Sequence, residues 1–231
     1  YSLAAMAKGS GMIRPDMATM LCFVCTDLEI PAADLQQALV SANEASFNRI
    51  TIDGDTSTND TVLVMANGQS GARAKTPLDF RAFAALLENV LGKLARMVVE
   101  DGEGATKCVE ISVINAETRE DARQMADTVA NSSLVKTAFF GEDANWGRIL
   151  AALGRAGVAF DPDAVDIWFD DVKMVKQGLG CGAQAEAAAT AVLRQKAFAV
   201  TIDVKSGAQQ ASVLTCDFSV DYVKINADYR S

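Results

Sequence analysis

The chain contains no histidine, so any nucleophile in it needs another base. A Ser-His-Asp or Cys-His system cannot be built from it alone, and neither can a His-ligated zinc site. Thr19 is a candidate that can do without one. It closes the segment Lys8-Gly9-Ser10-Gly11-Met12-Ile13-Arg14-Pro15-Asp16-Met17-Ala18-Thr19, whose glycines and proline mark a turn-rich loop. A threonine hydroxyl is a poor nucleophile until a base takes its proton. A backbone cut between Ala18 and Thr19 would create such a base, the α-amine of Thr19 itself. A free α-amine has a pKa of about 7.7–8.0, against about 10.4 for a lysine side chain. A general base works best when its pKa lies close to the operating pH. On this reading Thr19 attacks the carbonyl of Ala18, an N-to-O acyl shift forms an ester, and hydrolysis breaks the chain. A solvent loop feeding an edge strand fits the same pattern.

The elements that must position this segment follow from apolar periodicity. Leu21–Asp27 reads as a strand, Ala32–Asn48 as a helix behind Pro31, and Thr61–Ala66 as a second strand. Asp79–Val99 is a long amphipathic helix. Lys107–Asn115 alternates as a strand, with Val109, Ile111 and Val113 on its apolar face. Arg119–Asn131 and Asn145–Arg155 are helices, the second capped by Asp143 or Asn145 and ending near Gly157. Val165–Phe169 is a strand and Gln184–Arg194 an alanine-rich helix. Phe198–Val204, Ala211–Phe218 and Asp221–Ile225 read as three strands in succession, an antiparallel hairpin or meander. Gln69–Thr76 and Gln177–Gly182 are the loosest stretches. Helices and antiparallel strands mix without a βαβ rhythm, which favours an α+β layered sandwich over a doubly wound sheet.

With 231 residues, 50% hydrophobic and 22% charged, the chain can bury a core without staples. Its net charge of −9 repels phosphate backbones and anionic lipid, so neither nucleic acid nor membrane is an expected partner. No apolar run approaches the roughly 20 residues that span a bilayer, and Lys8 is followed by Gly9-Ser10-Gly11 rather than by the apolar stretch of a signal peptide. The five cysteines are irregularly spaced. Cys22 and Cys25 form a C-x-x-C inside an apolar run, and both are expected to be buried in a strand as small hydrophobes. A reducing, cytoplasmic compartment follows. Asp53, Asp55 and Asp60 with Thr56, Ser57 and Thr58 look superficially like a cation loop. No glutamate stands at the twelfth position of an EF-hand, so a hydrogen-bonded turn near the site is expected, with no metal. Gly102-Glu103-Gly104 and Gly178-Leu179-Gly180 are too short for a nucleotide loop.

Five blocks carry a further signal. They are Met6–Leu21, Phe47–Asp60, Val98–Lys107, Asn145-Trp146-Gly147-Arg148-Ile149-Leu150 and Asp221–Ser231. In this order, over nearly the whole chain, they resemble the bifunctional glutamate N-acetyltransferase/ornithine acetyltransferase family of arginine biosynthesis. The resemblance implies an N-terminal-nucleophile-like self-processing enzyme. Its cut divides the chain into residues 1–18, the end of an α chain, and residues 19–231, the β chain. It also implies a ping-pong reaction: Thr19 takes acetyl from N-acetylornithine, and glutamate takes it from the acetyl-enzyme. No cofactor is implied, with acetyl-CoA a possible co-substrate. The implied partner is the α chain of the same precursor, in an α2β2 heterotetramer.

Position by position, the resemblance assigns substrate contacts to Lys8, Thr19, Glu103, Asn226 and Ser231. Two features depart from the family pattern. Asp16 stands where asparagine is usual, so processing is expected to be slower. The family also has a substantial segment ahead of Met6, with a Thr-Gly pair that forms the oxyanion hole. The 231-residue chain by itself is therefore expected to be inactive or nearly so. Two other classes remain compatible with the residues, an N-terminal-nucleophile aminopeptidase or amidase and a non-catalytic assembly subunit.

Overall fold

The computed structural model describes residues 1–14 and 20–228, which divide into two units, residues 1–102 and 103–231. In the first unit, β1 (Leu3–Lys8), β2 (Leu21–Thr26) and β4 (Thr61–Ala66) form a sheet in the order β1-β2-β4. β1 and β2 are antiparallel, with Lys8 opposite Leu21. β2 and β4 are parallel, with Leu21 opposite Thr61. Between them in sequence lie α1 (Ala32–Glu44), a 3-10 turn at Phe47–Arg49 and β3 (Ile50–Thr51). The helix expected through Asn48 thus stops at Glu44 and tightens into that turn. α2 (Pro77–Glu100) starts at a capping box: Thr76 Oγ1 accepts the Asp79 N–H, and Asp79 accepts the Thr76 N–H. Its stripe of Phe83, Leu87, Leu91 and Ala95 is buried, as are Cys22 and Val24 of β2 and Ala38 and Ala42 of α1.

Strand alternation corrects the expectation for the C-x-x-C. Residues three apart on a strand point to opposite faces. Cys22 is therefore buried, its thiol pushed up to about 11 by desolvation, while Cys25 is exposed. Cys25 shares its face with the exposed Met6, Phe23, Leu63 and Met65.

The second unit is built on β5 (Cys108–Ala116), β6 (Asp166–Phe169), β7 (Val172–Lys176), β8 (Leu179–Gly180), β9 (Ala197–Asp203) and β10 (Gln209–Cys216). Within it the strands run β10-β5-β9-β6-β7-β8. β5 pairs with β9 in parallel and with β10 antiparallel; the other pairs are antiparallel. Both sheets are therefore mixed and the fold class is α+β, as expected. Val109, Ile111, Val113, Val200 and Ile202 enter one core cluster with residues of α3 (Arg119–Ala130), α4 (Ser133–Phe140), α5 (Trp146–Gly154) and α6 (Ala183–Leu193). Phe139 of α4 and Phe198 of β9 meet edge to face, with ring centroids 5.4 Å apart. Asn145 caps α5 by accepting the Arg148 N–H.

The three-strand meander expected at the C-terminal end is not formed. β9 and β10 lie on opposite sides of β5, and Asp221–Ile225 belongs to a helix, α7 (Val220–Asp228). The β-branched Val223 and Ile225 suggested a strand, but Ser219 overrides them. Its Oγ accepts the N–H groups of Asp221 and Tyr222, which is N-cap geometry.

One ionic cluster fastens the β6–β7 edge. Asp166, its side chain 8% exposed, accepts the Gln177 N–H (2.7 Å) and meets Lys205 Nζ (3.0 Å) and Lys173 Nζ (3.1 Å). Burial opposes its charge, but these three partners outweigh burial and hold the carboxyl at about 2. A depressed carboxyl pKa contributes stability that is complete above the unfolded value of about 3.9 and fades as pH falls toward 2. Asp166→Asn is expected to lower stability at neutral pH by about 2 kcal/mol. It should also flatten the pH dependence between about 4 and 2, measured by urea unfolding at a series of pH values.

Candidate functional site

The two flanks of residues 15–19 are each held by an aspartate of one turn, residues 52–60. On the upstream side, Asp53 accepts the N–H groups of Met12 (2.7 Å) and Ile13 (3.1 Å). The Ile13 carbonyl in turn accepts the Ile52 N–H (2.8 Å) and the Thr51 hydroxyl (3.3 Å). On the downstream side, Asp60 Oδ1 accepts the Met20 N–H at 2.5 Å, and the Met20 carbonyl accepts the Thr61 N–H at 3.0 Å. The segment expected to be a hydrogen-bonded turn is one, and its carboxylates serve backbone N–H groups. Among the described residues no cluster of His, Cys, Asp and Glu could hold a metal ion. Ala18 and Thr19 themselves lie outside the described residues.

Lys8, one of the expected substrate contacts, is exposed at the end of β1 and paired in register with Leu21. Gly9 follows at φ 149° and admits close packing. A Cβ there would stand 3.0 Å from Ile13 Cδ1 and 3.2 Å from Met20 Cα. Desolvation raises the Asp60 carboxyl to about 6, against the opposing pull of the Met20 N–H and the Lys8 charge. Asp60 also lines a cavity of about 330 Å³ whose wall includes Arg14, Met20, Asn43, Phe47 and Val62. In it, the buried Asn43 Oδ1 has no hydrogen-bond partner among the described residues.

In the second unit the structure brings together two of the expected contacts, 123 residues apart. Asn226 Nδ2 of α7 donates to Glu103 Oε2 at 3.0 Å, and also to the Tyr222 carbonyl at 3.0 Å. The turn carrying Glu103 is pinned from below. Ser219 Oγ donates to the Gly104 carbonyl (2.6 Å). Asp217 accepts the Thr106 N–H (2.8 Å), the Thr106 hydroxyl (2.6 Å) and the Lys107 N–H (2.9 Å). Gly104 has φ 67°, and a Cβ there would sit 2.4 Å from the Tyr222 nitrogen, so only glycine fits. Ser231 lies outside the described residues.

The sequence singles out Lys8, Glu103 and Asn226 and puts Asp60 in a hydrogen-bonded turn near the site, but it gives no partner for Asp60 and no role to Asp217. The available signal was weak in each case: a carboxylate one residue before a strand, and another wedged between Cys216 and Phe218 at the end of one.

These features define an α+β protein in which aspartates hold the backbone on both sides of residues 15–19 in the first unit, with a pinned Glu103 turn in the second. A crystal structure of the arginine biosynthesis bifunctional protein ArgJ from Bacillus halodurans superimposes with a TM-score of 0.84 at 38% identity, covering 90% of this chain and 98% of that one. A profile of the ArgJ family matches residues 1–231, and the chain belongs to the ArgJ family. Proteins named arginine biosynthesis bifunctional protein ArgJ match nearly its whole length. The one from Desulfotalea psychrophila is 59% identical over 98% of this chain, and the one from Geobacter sulfurreducens 54% over 100%. The chain spans 58% and 59% of those two relatives.

Proposed function

We propose that this chain carries the nucleophile of an ornithine acetyltransferase, Thr19, and transfers acetyl from N-acetylornithine to glutamate. The observation that carries the reading is the ArgJ family match along all 231 residues. The bracing of both flanks of residues 15–19 and the Glu103–Asn226 contact support it.

In this mechanism the bond between Ala18 and Thr19 is cut first. Residues 1–18 become the end of an α chain and residues 19–231 the β chain. The freed α-amine of Thr19 then takes the proton of its own hydroxyl. The Thr19 oxygen attacks the acetyl carbonyl of N-acetylornithine, the C–N bond breaks, and ornithine leaves with the proton. The amine of glutamate attacks the acetyl ester and leaves as N-acetylglutamate, restoring the hydroxyl. Lys8 pairs with a substrate carboxylate, Glu103 with an amine, and Asn226 and Ser231 complete the binding set. The α chain of the same precursor, in an α2β2 assembly, supplies the remaining contacts; acetyl-CoA can serve as an alternative donor. The thiols of all five cysteines are free, in keeping with a cytoplasmic enzyme.

Mass spectrometry tests the intermediate. Full-length protein quenched after mixing with N-acetylornithine is expected to carry an acetyl group on the peptide that begins at Thr19, and added glutamate should discharge it. Release of free acetate at the same rate without glutamate would indicate a hydrolase instead.

A further inference from the structure

We propose that Asp60 is a positioning residue for the nucleophile: its carboxylate grips the Met20 N–H, one residue along the chain from Thr19, and so sets the start of β2. The proposal rests on the reading of Thr19 as nucleophile. The parallel register of β2 and β4 begins at Leu21 and Thr61, so Met20 and Asp60 are the next pair outward. There the ladder stops and a side chain takes over. The Met20 peptide is held at its carbonyl by the Thr61 backbone and at its N–H by the Asp60 side chain. Met20 is 4% exposed, and Gly9 lets the end of β1 press against its Cα, so this peptide has little room to shift. A group that sets an attacking atom through its neighbour matters because a displacement of about 1 Å can cost on the order of 10²-fold in rate.

One cation acts on the Asp60 carboxyl, Lys8 from β1; Arg14 lines the same cavity, to whose wall α1 adds the uncharged Gln36 and Asn43. With its carboxyl raised to about 6, Asp60 is ionised at neutral pH and becomes protonated on mild acidification. The protonated form is the weaker acceptor for the Met20 N–H. Acid inactivation should therefore contain two ionisations, one from the α-amine of Thr19 and one from Asp60.

The test uses the full-length protein with Asp60→Asn, Asp60→Ala and Thr19→Ala, read by intact mass for self-cleavage and by steady-state acetyl transfer from pH 5 to 9. Asp60→Ala is expected to slow cleavage and lower kcat by about 10-fold or more, with KM changed by less than about threefold. Asp60→Asn keeps an acceptor oxygen, so it should restore both rates to within about fivefold of the parent. Its kcat profile should lose the ionisation near pH 6 and keep the higher one. Should Asp60→Ala misfold, the asparagine profile decides. Parent-like rates in Asp60→Ala, or superimposable profiles for Asp60→Asn and the parent, would overturn the proposal. Cleavage and turnover persisting in Thr19→Ala would instead remove the nucleophile reading, whatever the Asp60 variants do.

Discussion

Thr19→Ala in the full-length protein is expected to run as one uncut polypeptide and to lose acetyl transfer by on the order of 10⁴-fold or more. The loss should be this large because the hydroxyl and its base belong to one residue. With no histidine in the chain, no side chain of ordinary pKa stands ready to replace the α-amine. Removing the hydroxyl prevents the acyl shift, so the amine is never released, and one substitution removes nucleophile and base together. Thr19→Ser keeps both groups and should still be cut and still transfer acetyl, with its rate within about 10² of the parent. The measurement is an intact mass of each variant with a kcat determination. In the parent and in the serine variant, kcat should rise with pH through the α-amine value of about 7.7–8.0 as the base deprotonates. An uncut Thr19→Ala protein turning over at the parent rate would end the mechanism.

The framework that positions Thr19 was legible wherever a local pattern agreed with its tertiary role. β2, β4, α2, β5 and α3 lie within a few residues of where apolar periodicity puts them. The misses at β1 and α4 share a physical cause, which is tertiary contact overriding local preference. β1 is Leu3-Ala4-Ala5-Met6-Ala7-Lys8, made mostly of good helix formers, and is a strand because it pairs with β2. α4 buries Lys136, whose Nζ donates to Thr215 Oγ1 at 2.8 Å, so a charge sits on the helix's inner side and spoils its amphipathic signature. In α7, a serine cap outweighed a strand-like run of side chains. At the site, Lys8, Glu103 and Asn226 came from resemblance, and the last two proved to be in contact. The partner of Asp60 and the role of Asp217 were illegible because both depend on backbone N–H groups 40 or more residues away, and no local spacing encodes such a partner.

Asp217→Ala is expected to destabilise the protein by about 3–4 kcal/mol, because the side chain accepts three hydrogen bonds in a site where water cannot replace it. Asp217 is 2% exposed and Lys107 9%. Truncation strands the Lys107 N–H in the interior and releases the backbone and hydroxyl of Thr106. In a protein of this size the loss corresponds to a fall in Tm of about 10 °C by calorimetry. Asp217→Asn separates charge from geometry. Its Oδ1 can still accept both backbone N–H groups, and its Nδ2 can donate to the Thr106 hydroxyl, so the cost should fall to about 1 kcal/mol. The same pair of variants reads the turn's function. The bonds from Asp217 fix Thr106 and Lys107, three and four residues from Glu103, while Ser219 holds Gly104 and Asn226 holds the Glu103 carboxylate. Loosening one side of that turn should weaken substrate binding more than the acetyl-transfer step. In Asp217→Ala, KM for N-acetylornithine is therefore expected to rise by about 10-fold while kcat falls less, and Asp217→Asn should stay close to the parent in both. A stability loss of the stated size with KM unchanged would mean that Asp217 secures the fold but that the Glu103 turn does not bind the donor substrate.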